Sequence, residues 1–111
     1  MSRKIAVGIL EKEGVVTLSC NGNSMRPLFK PGDSLHIKKV NTSKLRVGDA
    51  VFCKIKGNLQ VHKVTAIDKN RWQISNNHGF VNGWIGESAI YGLCMIAEGK
   101  ELVTEAELEA R

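Results

Sequence analysis

From Val15 to Cys20 the chain alternates, with Val15, Thr17 and Ser19 on one side and Val16, Leu18 and Cys20 on the other. A period of two rich in β-branched residues is the signature of a strand with one buried face. Comparable short runs follow at Ser34 to Lys39, Ala50 to Ile55, Leu59 to Ile67, Arg71 to Ser75, Gly83 to Ile85 and Ala89 to Ala97. Turn chemistry separates them. Pro31-Gly32 suits the two central positions of a type II turn, with Gly32 free to take a positive φ. A second Gly-Asp pair, Gly48-Asp49, ends the loop from Asn41 and launches the next strand, and Lys56-Gly57-Asn58 marks a tight hairpin. The expected fold is mainly β, a small coiled antiparallel sheet or partly open barrel. Helices are expected only at the ends. Ser2 to Leu10 has an N-cap in Ser2, an apolar side in Ile5, Ile9 and Leu10, and Gly14 to close it. Thr104 to Arg111 is a helical tail, with Thr104 and Glu107 spaced as a capping box.

A chain of 111 residues is expected to form one domain, 1–111, with a core that needs no disulfide or metal. Cys20, Cys53 and Cys94 lie far apart in apolar stretches, which reads as reduced, packed thiols and a cytoplasmic setting. Ile5 to Leu10 is too short to span a bilayer and runs into Glu11, Lys12 and Glu13, so neither a membrane span nor a targeting segment is expected. Charge is uneven: residues 1–64 carry twelve Lys and Arg against four acids, and residues 65–111 four against seven. A basic front half has the sign that nucleic acid attracts. No aromatic residue interleaves Lys38, Lys39, Lys44 and Arg46 to stack bases, however, so a solvated loop is the favoured reading and nucleic acid is not.

One turn carries chemistry. In Gly22-Asn23-Ser24-Met25-Arg26-Pro27, Gly22 permits an unusual backbone angle, Pro27 stiffens the exit, and Met25 is an apolar anchor. The Ser24 hydroxyl can therefore be held outward as a nucleophile, with main-chain N–H groups of Ser24 and Met25 free to bind an oxyanion. A candidate base, His62, follows in Val61-His62-Lys63-Val64 on a segment that reads as a strand.

Asn23-Ser24-Met25-Arg26-Pro27, Gly32-Asp33, Val47-Gly48-Asp49-Ala50-Val51 and Val61-His62-Lys63-Val64 resemble, in this order, the motifs of the S24 and S26 serine peptidases. That superfamily holds the type I signal peptidases and the LexA-like self-cleaving repressors. The resemblance covers residues from about 10 to 98. It implies a LexA–signal peptidase type of β fold, with the serine ending one strand and the base on another. Some members pair Ser with Lys; Val61-His62-Lys63 is similar to those that pair Ser with His.

Adjacent strand residues face opposite ways, so only one of His62 and Lys63 readily confronts Ser24. A histidine near its ordinary pKa of about 6.5 is already neutral at pH 7, whereas a lysine near about 10.4 has to be lowered by roughly three units. His62 is the preferred base and Lys63 the alternative. Leu59 and Val61 share one side while Val64 and Ala66 share the other, which implies a bulge near Lys63. Where Ser-His relatives carry acidic residues, this chain has Ile74-Ser75-Asn76-Asn77-His78-Gly79 and then Asn82-Gly83-Trp84. Ser75 and Asn82 are the candidates to orient the imidazole, neither of them charged. His36 and His78 read as surface or turn residues. No cofactor motif or metal-ligand spacing is present. Two functions remain: a serine endopeptidase acting on a peptide or protein substrate, and a catalytically weak peptidase-like module that binds a peptide, protein or nucleic-acid partner.

Overall fold

A computed structural model describes residues 1–111. Its strands are β1 (Val15–Ser19), β2 (Ser34–Lys38), β3 (Ala50–Ile55), β4 (Asn58–Asp68), β5 (Arg71–Ser75), β6 (Val81–Gly86), β7 (Ile90–Ala97) and β8 (Lys100–Glu101). All pair antiparallel in one sheet of order β1-β2-β7-β3-β4-β5-β6, with β8 joined to β7. Helices α1 (Arg3–Glu13) and α2 (Glu105–Ala110) flank it at the two ends of the chain. The mainly β architecture read from the sequence is the one observed; β8 was not legible there, and two short 3₁₀ turns, Thr42–Lys44 and Glu87–Ala89, complete the connections.

Bulges coil the sheet. Along β7, β3 pairs Phe52 with Gly92 and Cys53 with Ile90, leaving Tyr91 unmatched. On its other side β2 pairs His36 with Ile96 and Ile37 with Cys94, leaving Met95 unmatched. Each extra residue bends its strand and strengthens the twist. The coiled sheet thereby encloses two apolar clusters, one containing Phe52, Cys94, Leu35 and Ile37, the other Val51, Cys53, Leu93 and Ile74. Neighbouring residues of β3 feed opposite clusters, which is why Val51, Phe52 and Cys53 are all fully buried.

Helix α1 seals the first cluster. Ser2 Oγ accepts from Ile5 N at 3.1 Å, and Gly14, at φ +82°, ends the helix. Ala6 and Leu10, one turn apart, make the buried contact. Ile5 therefore does not join that face: it sits about 100° around the axis from Ala6 and is 59 % exposed.

The two Gly-Asp turns are one device used twice. In each, the Asp N–H donates to the carbonyl three residues back and the Asp carboxylate accepts that residue's N–H: Lys30 at 3.1 and 3.0 Å for Asp33, Arg46 at 3.1 and 2.8 Å for Asp49. Gly32 and Gly48 take the positive φ, +88° and +101°, that such turns require. Buried Asp49 goes further and receives Arg111 in two bonds, 2.6 and 3.0 Å. With Lys44 Nζ donating to Arg111 O at 3.1 Å, this pins α2 to the loop before β3. Arg111→Ala leaves a buried carboxylate with a single backbone donor, so a loss of about 2–3 kcal/mol is expected in urea unfolding at pH 7. An unchanged midpoint would show that the pair contributes nothing. No helix is long and apolar enough to cross a membrane.

Candidate active site

After β1 the chain turns at Gly22, φ +73°, and winds through consecutive tight bonds: Arg26 N to Asn23 O, 3.1 Å, Leu28 N to Met25 O, 2.9 Å, and Phe29 N to Met25 O, 3.2 Å. Met25 and Phe29 are buried in the first cluster and anchor this winding, and the Arg26–Pro27 peptide is cis. Ser24 is left at the rim. Its Oγ lies 2.9 Å from His62 Nε2. The N–H groups of Ser24 and Met25 donate to no acceptor in the protein.

His62 sits on β4 opposite Val51 of the central strand and is only 5 % exposed. Its other nitrogen, Nδ1, lies 2.8 Å from Asn82 Oδ1. A carbonyl oxygen only accepts, so with the amide in this orientation Nδ1 carries the proton and Nε2 has a lone pair for the serine hydroxyl. Asn82 reaches the ring through a bulge. β5 pairs Ile74 with Gly83 and Ser75 with Val81, so Asn82 is the unmatched residue of β6, next to Gly83 at φ +146°. Burial, above all, pushes the His62 pKa down; the Asn82 bond opposes this in part, and the Arg3 charge adds to it. The neutral imidazole is favoured.

The other candidates lie elsewhere. Lys63 Nζ donates to Asn77 Oδ1 at 2.9 Å and not to Ser24. Ser75 pairs directly with Lys63, so its side chain shares the face of Lys63 and not that of His62. Its Oγ instead meets Thr65 Oγ1 at 2.7 Å. Ser75 therefore does not orient the imidazole. The bulge expected near Lys63 falls at Thr65, unmatched between the pairs Val64–Ile74 and Ala66–Gln73. His36 and His78 are exposed, but His78 Nε2 lies 3.0 Å from Asn23 O, against the serine turn.

Sequence reasoning missed Asn77 and Arg3. Asn77 N donates to Ser24 O at 2.8 Å and its side-chain amide to Arg26 O at 3.1 Å, so the loop between β5 and β6 splints the nucleophile turn. Only the cluster of Asn residues hinted at this. A cavity of about 140 Å³ adjoins Ser24 and His62, walled by Arg3, Cys20, Met25 and Phe29 among others. Cys20 is no rival nucleophile, because burial pushes its thiol up; Cys53 and Cys94 are pushed up to about 12 for the same reason. A larger open hollow of about 700 Å³ beside Leu45, Ile67 and Trp72 includes none of these side chains. No group of three or more His, Cys, Asp or Glu is placed to hold a metal ion.

The coiled antiparallel sheet thus sets a turn serine against a strand histidine. The family model described as Peptidase S24-like matches residues 3–87, most of the chain, and the chain belongs to that family. No curated protein and no solved structure matches it.

Proposed function

We propose that this chain is a serine endopeptidase in which Ser24 is the nucleophile, His62 the general base and Asn82 the residue that orients it. The observation that carries this reading is the 2.9 Å contact between Ser24 Oγ and the neutral side of the imidazole. Ser24 Oγ attacks the peptide carbonyl as Nε2 takes its proton. The oxyanion is held by the Ser24 and Met25 N–H groups. Collapse of the tetrahedral adduct breaks the C–N bond, and Nε2 returns the proton to the leaving amine. Water, deprotonated by the same nitrogen, then releases the acyl group from Ser24. The substrate is a peptide or protein segment taken in extended form along a sheet edge. Three free, buried thiols suit a reducing, cytoplasmic setting.

One feature favours a second reading, a peptide-binding module with weak turnover: the third residue is a neutral amide, which orients the imidazole without stabilising its charged form. A library of blocked peptides, read by mass spectrometry, separates the two. Cleavage is expected from the wild type and from Lys63→Ala, and none from Ser24→Ala or His62→Ala. Cleavage kept by His62→Ala but lost in Lys63→Ala would move the base to Lys63, and no wild-type cleavage at any pH from 5 to 9 would leave the binding module.

A further inference from the structure

Two sheet edges near Ser24 have no strand beside them. β1 is the terminal strand of the sheet. On β4, pairing with β5 begins only at Lys63, so Asn58 to His62 are bonded to β3 alone. The first residue of α1 spans the gap between these edges: Arg3 Nη2 donates to Ser19 O at 3.0 Å and Nη1 to Leu59 O at 3.2 Å. The reach of one guanidinium to both carbonyls fits an opening about one strand wide, two interstrand spacings of ~4.8 Å. Both carbonyls are edge acceptors of the kind that an added strand would use. Arg3 Nε is buried with no acceptor, and burial lowers the Arg3 pKa. The clasp thus leaves a donor unsatisfied in a half-buried cation, a cost that its release would remove.

We infer that Arg3 is an autoinhibitory bolt: it holds the backbone acceptors of β1 and β4 that an extended peptide needs, and it has to swing out before substrate can lie between those edges and reach Ser24. Ser2 and Arg3 stand at the start of α1, so the swing needs side-chain torsions and no movement of the sheet. The inference rests on the peptidase reading for the nature of the occupant, an extended peptide. If the open form is a minor population, apparent affinity is reduced by that fraction, and a variant unable to close recovers it.

The test compares wild type, Arg3→Ala and Arg3→Lys in two assays, with thermal unfolding to establish that each is folded. In the first, cleavage of one identified peptide is followed at pH 8, where titration of His62 does not intrude. In the second, binding of a pool of blocked random decapeptides to the same variants carrying Ser24→Ala is measured by affinity capture and mass spectrometry. Arg3→Ala is expected to lower KM and tighten peptide capture by about tenfold while kcat stays within about twofold. Arg3→Lys, whose single ammonium does not bridge two carbonyls in the same plane, is expected to fall between, and it carries the test alone should Arg3→Ala not fold. Unchanged or weaker binding in folded variants overturns the bolt even if cleavage proceeds. Tighter capture without cleavage by any variant upholds the bolt and removes the peptidase reading instead.

Discussion

His62→Ala and Ser24→Ala each lower kcat for peptide cleavage by about 10³-fold or more, and the double variant is scarcely worse than either. Non-additivity is the informative part, because a hydroxyl and a base that share one proton lose their joint effect when either is removed. The wild-type pH profile follows from the same contact. His62 acts as a base only when neutral, and burial holds its pKa below the ordinary value, so kcat/KM is expected to rise with pH, half-maximal below about 6.5, and then to level off. Stability has the same sign: with the folded pKa depressed, the contribution of this group is complete above about 6.5 and is lost as pH falls through the lower folded value. Asn82→Asp would place a carboxylate on Nδ1 and move the acid limb upward, whereas Asn82→Ala would cut kcat by about 10–100-fold and, by removing the bond that partly offsets burial, move the limb downward. An acid limb unshifted in Asn82→Asp would mean that the amide does not face the ring in solution.

Gly92→Ala is expected to destabilise the protein by about 3 kcal/mol, at the upper end for overpacking. A Cβ there would lie 2.6 Å from Ile37 Cγ2, 2.8 Å from Lys38 O and 3.0 Å from Leu10 Cδ2. The Ile37 and Leu10 side chains can give way, but the Lys38 carbonyl belongs to the backbone at the end of β2 and cannot move without loosening the strand from β7. Gly86→Ala is the control, since nothing lies within 4 Å of the added carbon and its φ of −89° is open to any residue. It should fall within about 0.5 kcal/mol of wild type. Urea unfolding of the two variants side by side decides the matter. Equal midpoints would mean that Leu10 and the end of β2 do not close over Gly92 as these distances require.

The elements that local chemistry specifies were legible in the residues. Ser2 and Gly14 bound α1, Gly32 and Gly48 take positive φ, and Lys56-Gly57 forms the two-residue hairpin with both φ positive, +51° and +80°. Alternation in Val16, Leu18 and Cys20 names residues that are indeed buried. What sequence did not disclose depends on register between distant strands. Ser75 and Asn82 are equally plausible partners for an imidazole until pairing puts Ser75 opposite Lys63 and leaves Asn82 unmatched. Ile5 looks as apolar as Leu10, yet it is Leu10 that packs over Gly92, seventy-eight residues on in the chain from Gly14, while Ile5 is left exposed. Nothing in its sequence neighbourhood marks Arg3; only the meeting of β1 and β4 gives its guanidinium two carbonyls to hold.

The amide that steadies the imidazole comes from the single residue of β6 that its ladder leaves without a counterpart. Loss of one codon there would let the neighbouring strands re-pair perfectly while Ser24 and His62 stayed where they are. Such a descendant would keep every recognisable motif of its ancestor and still be chemically lame, so in this architecture the gap in the pairing, more than the pairs, is what selection for turnover has to preserve.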